Sequence, residues 1–284
     1  MTVGIIANPE KEGSRRTLEA LVAELGRRGL EAVLDEVTAR MTGDPSGMSG
    51  EELAERADVI AVIGGDGTML HAMATLGGCP KPMAGINIGN LGFLTSCTDD
   101  EIGEFVGALV DGSYTTSGRT LLEARVEKQD GSTQSFLALN EAVLARGQTG
   151  RLVALQATID GEVLNRYRAD GVIVASPTGS TAYSLSAGGP LISPDAGVFV
   201  ITPICPHTLS QRSLVVSDDV EIELTPEEPS DGPMLFTVDG RDCVEIGSAD
   251  RVCVRKAGQR LNLLRLEGRS FYAALRQKLN WRGG

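Results

Sequence analysis

The stretch that most constrains the fold is residues 59–68, VIAVIGGDGT. Five consecutive apolar residues, Val59-Ile60-Ala61-Val62-Ile63, stop at a turn with three glycines in four positions. A strand that is apolar at every position has no face to give to water. It fits a parallel sheet covered by helices on both sides. The segment after the turn, Met69 to Leu76, reads as helical. The order is strand, bare turn, helix, with one carboxylate, Asp66, at the tip of the turn.

The rest of the first third agrees with this. Val3 to Ala7 is a short buried-strand run. Ser14 is expected to cap a helix whose Leu18, Leu21, Val22 and Leu25 share one face, with Gly29 near its end. Glu31 to Leu34 and Met83 to Ile88 read as strands, and Asp99 to Val110 as an amphipathic helix. Strands alternating with helices predict an α/β N-terminal domain, a parallel sheet with flanking helices, over residues 1–117. After Ser117 helical periods vanish. Short strand-like runs recur with turns at Asp130-Gly131, Asp160-Gly161 and Asp239-Gly240. This predicts a β-rich C-terminal domain over 118–270. Residues 271–284 are expected to form a helix that packs back on the N-terminal domain.

Charge narrows the function. The chain has 284 residues and a formal net charge of −12, with no basic run. That argues against nucleic acid or an anionic membrane as a partner. A phosphate ligand would have to be met locally, by backbone amides, arginines or a metal. The five cysteines are scattered, with no CxxC pair, which indicates neither a disulfide framework nor a zinc site. No His/Cys/carboxylate cluster has structural-metal spacing. No apolar run approaches the ~20 residues of a membrane span, and the N-terminus lacks the charged start of a signal peptide. The expectation is a cytoplasmic protein.

Three stretches carry chemistry. A strand, a glycine turn and a helix place backbone N–H groups where they can hold phosphate, although the turn is neither a Walker A loop nor a GxGxxG fingerprint. Glycine-rich turns are also common structural devices, and Asp66 could simply cap its helix. In LALNEAVLAR, residues 137–146, Asn140-Glu141 interrupts an apolar run. A polar pair there must find partners or cost free energy. It is either a strand end in water or a pair that meets ligand hydroxyls or a base edge. The densest stretch is RYRADGVIVASPTGSTAYSLSAGGPLISPD, residues 166–195, where hydroxyls and glycines surround one aromatic, Tyr183. Such a loop can line a polar pocket and stack a ring.

These residues resemble the bacterial NAD kinase family. The resemblance rests on GGDGT at 64–68, NE at 140–141 and DGVIVASPTGSTAYSLSAGGPLISP at 170–194. Pro206-His207-Thr208-Leu209-Ser210, Arg212-Ser213-Leu214-Val215 and the closing Lys278-Leu279-Asn280-Trp281 extend it to roughly residues 58–281. GGDGT alone is shared with lipid kinases and phosphofructokinases; the TGSTAYSLSAGGP run is more specific. The resemblance implies phosphoryl transfer from ATP or polyphosphate to the 2′-hydroxyl of the adenosine ribose of NAD. It implies a divalent metal, magnesium, arriving with the donor, and a homodimer or homotetramer. It places Asp66 as general base, with Gly67 and His71 lining the same turn and helix. Asn140 and Glu141 fall near the adenosine, where Glu141 is expected to hold the ribose by a charge-assisted hydrogen bond. Arg151, Arg168 and Asp170 fall at further dinucleotide contacts. Thr181, Ala182, Tyr183, Ser184, Leu185 and Ser186 match the loop lining adenine and ribose. Arg241 stands where the family often has Gln.

Three other readings compete. A lipid or sugar kinase would share GGDGT, but a lipid kinase should expose apolar surface where this loop is rich in Ser and Thr. A non-catalytic dinucleotide sensor should have lost Asp66 or the glycines. A hydrolase built on Ser180 and His207 would need the absent nucleophile elbow.

Overall fold

The computed structural model describes residues 1–89, 91–147, 152–208, 210–227 and 234–281. The chain forms two compact units, Met1–Gly118 with Leu261–Gly284, and Arg119–Arg260.

Unit 1 is the α/β unit. Its first elements are β1 (Thr2–Ala7), α1 (Ser14–Arg27), β2 (Glu31–Leu34), α2 (Glu36–Thr42) and α3 (Gly50–Arg56). They are followed by β3 (Val59–Ile63), α4 (Asp66–Thr75), β4 (Met83–Asn87), β5 (Thr95–Thr98) and α5 (Ile102–Asp111). The strands β2, β1, β3, β4 and β5 pair in that order, all parallel. Every residue of β3 is buried, as expected for a strand covered on both faces. The core joins Val3, Ile5, Val59 and Ile63 to Leu18, Leu21 and Leu25 of α1 and Phe105 and Val106 of α5.

Two local expectations change. Gly13, at φ +85°, is the N-cap of α1, and Ser14 is its first helical residue. The left-handed turn needs glycine there and takes the capping position from the serine. Helices α2 and α3 carry no apolar stripe long enough to read, but they start on strong caps. The Asp35 side chain accepts from the Val37 and Thr38 amides, and Ser49 with Glu52 forms a reciprocal capping box.

The chain leaves unit 1 within β6 (Tyr114–Glu127). Unit 2 continues with β7 (Thr133–Ala138), β8 (Glu141–Arg146), β9 (Val153–Ile159), β10 (Glu162–Ala169) and β11 (Gly171–Ala175). A single helical turn, α6 (Tyr183–Ser186), precedes β12 (Val198–Ile204), β13 (Leu214–Ser217), β14 (Ile222–Pro226), β15 (Met234–Val238), β16 (Arg241–Ile246) and β17 (Arg251–Leu266). One sheet is antiparallel in the order β13-β12-β11-β8-β15-β16. A second antiparallel layer runs β10-β9-β14-β17. Leu155, Leu224 and Val254 of the second layer share one core with Leu144, Val174, Phe199 and Phe236 of the first. Two of the Asp-Gly turns are left-handed at the aspartate, Asp160 at φ +49° and Asp239 at φ +50°.

Residues 261–270, which the sequence reading gave to the second domain, fall in unit 1. The last part of β17 is the reason: Leu263 pairs in parallel with Met83 of β4. The final helix, α7 (Phe271–Lys278), starts on a Ser270 side-chain cap and buries Ala274 and Leu275. Its Phe271 ring lies 6.1 Å from Phe93, also in unit 1.

Candidate active site

In unit 1 the chain leaves β3 through Gly64 and Gly65, and α4 begins at Asp66. Asp66 is half-buried, Gly67 exposed. The Asp66 carboxylate does not cap its own helix. Its two oxygens accept from the backbone amides of Phe93 and Leu94, each at 3.0 Å. The loop can approach this closely because residue 92 is glycine, where a Cβ would lie 2.2 Å from an Asp66 oxygen. Two of the carboxylate's roughly four acceptor positions are therefore filled and two remain for a ligand proton.

Sequence reasoning missed Lys11. Its ammonium donates to the Asn87 amide oxygen at 2.7 Å, and a Cβ on Gly65 would come within 3.9 Å of it. A positive charge thus stands beside the bare turn, although Lys11 is far from the turn in sequence. The only early hint was a cation just after the first strand, in Asn8-Pro9-Glu10-Lys11. A pocket of about 380 Å³ is lined by Asn8, Pro9, Asp35, Gly67, Thr68 and His71. His71 is exposed there.

In unit 2 the Asn140-Glu141 pair is built from both sides. On one side Asp239 accepts three backbone amides: Leu139 at 2.9 Å, Asn140 at 2.8 Å and Glu141 at 3.0 Å. The Asp239 amide donates back to the Glu141 carbonyl at 2.9 Å. On the other side the Ser176 amide donates to the Asn140 carbonyl at 2.8 Å, and the Ser176 hydroxyl to the Leu139 carbonyl at 2.5 Å. Gly179 packs on the Asn140 backbone so closely that a Cβ there would fall 2.1 Å from its carbonyl oxygen.

Glu141 is 6% exposed. One carboxylate oxygen, Oε2, is buried with no hydrogen-bond partner among the described residues. Burial first, and then the charge of Asp239, push its carboxyl up to about 8, against the pull of the Tyr183 amide that donates to it. This environment favours the neutral acid, which can donate as well as accept. Asp239 is raised as well, by burial, while the three amides and Arg241 oppose the shift. The Arg241 guanidinium lies 3.8 Å from the Asp239 carboxylate. It sets a positive charge beside Asp239, where an amide side chain would bring none.

The remaining predicted residues divide. Tyr183 opens α6 and is 44% exposed. Thr181, Ala182 and Leu185 are half-buried and Ser186 exposed, and the Thr181 hydroxyl donates to the Thr178 carbonyl at 3.1 Å. Ser184 is fully buried, its hydroxyl 2.9 Å from that of Thr202. Its side chain is bonded into the core. The single helical turn sets it inward between exposed Tyr183 and half-buried Leu185. Asp170 is paired with Arg146 at 2.9 Å. Arg168 is exposed on β10. Arg151 lies outside the described residues. Among the described residues no group of three or more His, Cys, Asp or Glu side chains is placed to hold a metal ion. No helix among them is long and apolar enough to cross a membrane.

Comparison with known proteins covers both units. Residues 3–114 match the family model of the ATP-NAD kinase N-terminal domain and residues 139–266 that of the C-terminal domain. The NAD kinase of Chlorobium luteolum is 42% identical over 281 residues, covering 99% of this chain and 97% of that protein. The NAD kinase of Prosthecochloris aestuarii is 40% identical over 284 residues, covering 99% and 97%. Among solved structures, yeast NADH kinase complexed with NADH is similar at a TM-score of 0.91 and 26% identity, covering 100% of this chain and 89% of that one. An NAD kinase from Archaeoglobus fulgidus in complex with ATP is similar at a TM-score of 0.76 and 25% identity, covering 100% of both. With both domain models and full-length relatives in agreement, the chain belongs to the NAD kinase family.

Proposed function

We propose that this enzyme transfers the γ-phosphoryl group of ATP to the 2′-hydroxyl of the adenosine ribose of NAD, giving NADP and ADP. Asp66 acts as the general base. It takes the hydroxyl proton as the new O–P bond forms and the bond to the ADP oxygen breaks. The observation that carries this reading is the Asp66 carboxylate, aimed by two amides and held in a turn bare of other side chains. A ribose hydroxyl is a poor nucleophile at neutral pH, and a carboxylate within reach of it contributes ~10²–10⁴ in rate. In this reading Asp66 and its turn serve the base and the donor phosphates, and Asn140, Glu141 and the Tyr183 loop serve the acceptor.

Charge fits this assignment. The chain carries a net −12 and must meet two polyanions at chosen points. Lys11, the amides at the start of α4, and exposed Arg168 are such points; Arg151 and Asp170 complete the dinucleotide contacts in the same reading. A divalent ion, magnesium in this proposal, would be held by the donor phosphates and would supply positive charge against them when bound. The unpaired cysteines suit a cytoplasmic setting. Exposed Leu214 and Val215 on the edge strand β13 suit assembly into a dimer or tetramer, which sedimentation would measure.

The test is incubation with magnesium, NAD and either ATP or polyphosphate, read by an NADP-specific dehydrogenase. NADP formation with ATP is the expected result; none with any donor overturns the reading. Repeating it with NADH defines the acceptor.

Two variants probe the binding groups. Lys11→Met should raise KM for ATP about tenfold or more at saturating NAD, since a hydrogen bond to a charged group contributes ~1.5–3 kcal/mol. Steady-state kinetics with ATP varied checks this, and an unchanged KM removes Lys11 from the donor site. Tyr183→Ala should weaken NAD binding with less effect on kcat, because base–aromatic contacts contribute ~1–3 kcal/mol. Calorimetric titration reads the change; an unaltered Kd leaves the ring with no ligand role.

A further inference from the structure

We infer that Asp239 is a positioning residue for the acceptor: it grips the backbone that carries Asn140 and Glu141, and it sets its own charge against Glu141. This deepens the reading of the site as an NAD pocket and rests on it.

The geometry is specific. One carboxylate takes three consecutive amides, Leu139, Asn140 and Glu141, within 2.8–3.0 Å. A side chain that only needed partners could be satisfied by fewer. Here the residues gripped are the two polar residues proposed to meet the ligand and the one before them. The aspartate itself sits at φ +50°, a conformation L residues adopt at a cost, though Asp tolerates it better than most. It is 8% exposed, so its charge is poorly shielded from Glu141. Arg241, 3.8 Å away, offsets only part of that charge.

The groups that act on Glu141 come from neighbouring elements. Asp239 lies on the β15–β16 turn and the Tyr183 amide on α6; Arg241, at the start of β16, acts on Asp239. Strand β11 places Ala175, which does not titrate, directly across from Glu141. Among the described residues, Asp239 is the acid that acts on Glu141. Its negative charge favours the protonated form of Glu141 and adds to the effect of burial. A protonated carboxyl presents one O–H donor and retains acceptor capacity. That suits a vicinal diol, whose hydroxyls each need both. The buried Oε2 without a partner is where such a donor would find a ligand oxygen.

The experiment follows NAD affinity by calorimetry, with KM and kcat, across the pH range on both sides of the Glu141 midpoint of about 8. Wild type, Asp239→Asn and Glu141→Gln are compared. Wild-type affinity is expected to fall as pH rises through that midpoint, as Glu141 ionises. In Asp239→Asn the inflection should move about one unit or more toward acid, the usual reach of a neighbouring charge. KM for NAD should rise more than kcat falls. Glu141→Gln, which imitates the neutral acid, should bind NAD with no inflection there. A wild-type inflection in Asp239→Asn, or one that persists in Glu141→Gln, overturns the inference.

A measurement on the unaltered enzyme covers the case in which Asp239→Asn does not fold. In ¹³C-carboxyl NMR without NAD, the Asp239 and Glu141 signals should both respond at the higher midpoint, as coupled acids do. An Asp239 signal flat through that range overturns the coupling. Absence of NAD binding by wild type at every pH would instead overturn the proposed function, and leave the NMR result to decide the inference.

Discussion

Replacing Asp66 by Asn is expected to lower kcat by ~10²-fold or more while NAD still binds. The structure adds a second effect. Asn keeps one acceptor oxygen, so one of the amides of Phe93 and Leu94 loses its partner. A half-buried orphaned amide costs roughly 1 kcal/mol or somewhat more, which a thermal melt should register as a shift of a few degrees. The two effects separate by measurement. Loss of the base appears in kcat at saturating substrates, with NAD Kd near wild type. Loss of loop order appears in the melt, and in a variant that keeps the carboxylate and alters only the loop. Asp66→Asn with kcat within about threefold of wild type would remove the general base from this turn.

Gly179→Ala is expected to damage the acceptor site from a position that touches no ligand. The added Cβ would fall 2.1 Å from the Asn140 carbonyl oxygen, 2.5 Å from its carbonyl carbon and 2.8 Å from its Cα. All three are backbone atoms, tied to Ser176 on this side and Asp239 on the other. No side-chain rotation relieves the overlap, so the strand end must shift. Overpacking of this kind costs roughly 1–3 kcal/mol or more, and displacement by about 1 Å can cost ~10²-fold in rate. The expected outcome is a lower melting temperature together with a fall of ~10-fold or more in kcat/KM for NAD. Gly103→Ala in α5, where an added Cβ meets nothing within 4 Å, serves as the control and should be neutral or mildly stabilising. A Gly179→Ala enzyme with normal NAD kinetics would show that the Asn140 backbone is not what fixes the acceptor.

Much of this could be read from the chain because the signals were local. A five-residue apolar run ending in glycines dictated β3, its turn and the helix after it. The loss of helical period after Ser117 marked where the second unit begins, one residue from its structural boundary at Gly118. What escaped was non-local. Lys11 meets Asn87 across 76 positions, and Asp66 meets Phe93 across 27. Asp239 reaches the Leu139 amide across 100. Its Asp-Gly signature announced a hairpin turn, and nothing in that dipeptide revealed the three amides it holds. The serines of the 180s show the same limit. Ser184 and Ser186 are alike in sequence, yet one is bonded in the core to Thr202 and the other is exposed. The protonation of Glu141 also needed the fold, since it arises from burial and from a carboxylate that arrives nearly 100 residues later.

The two amides that hold Asp66 also make a built-in reporter. A backbone proton bonded to a carboxylate exchanges with deuterated solvent only when that bond opens. The exchange rates at Phe93 and Leu94 therefore measure how often the carboxylate lets go of its loop. Comparing those rates with and without a bound dinucleotide follows the proposed base at a site free of any label, before a single turnover takes place. Slower exchange with ligand would mean that the acid is held more firmly as the substrate arrives, and faster exchange that the amides yield it to the ribose.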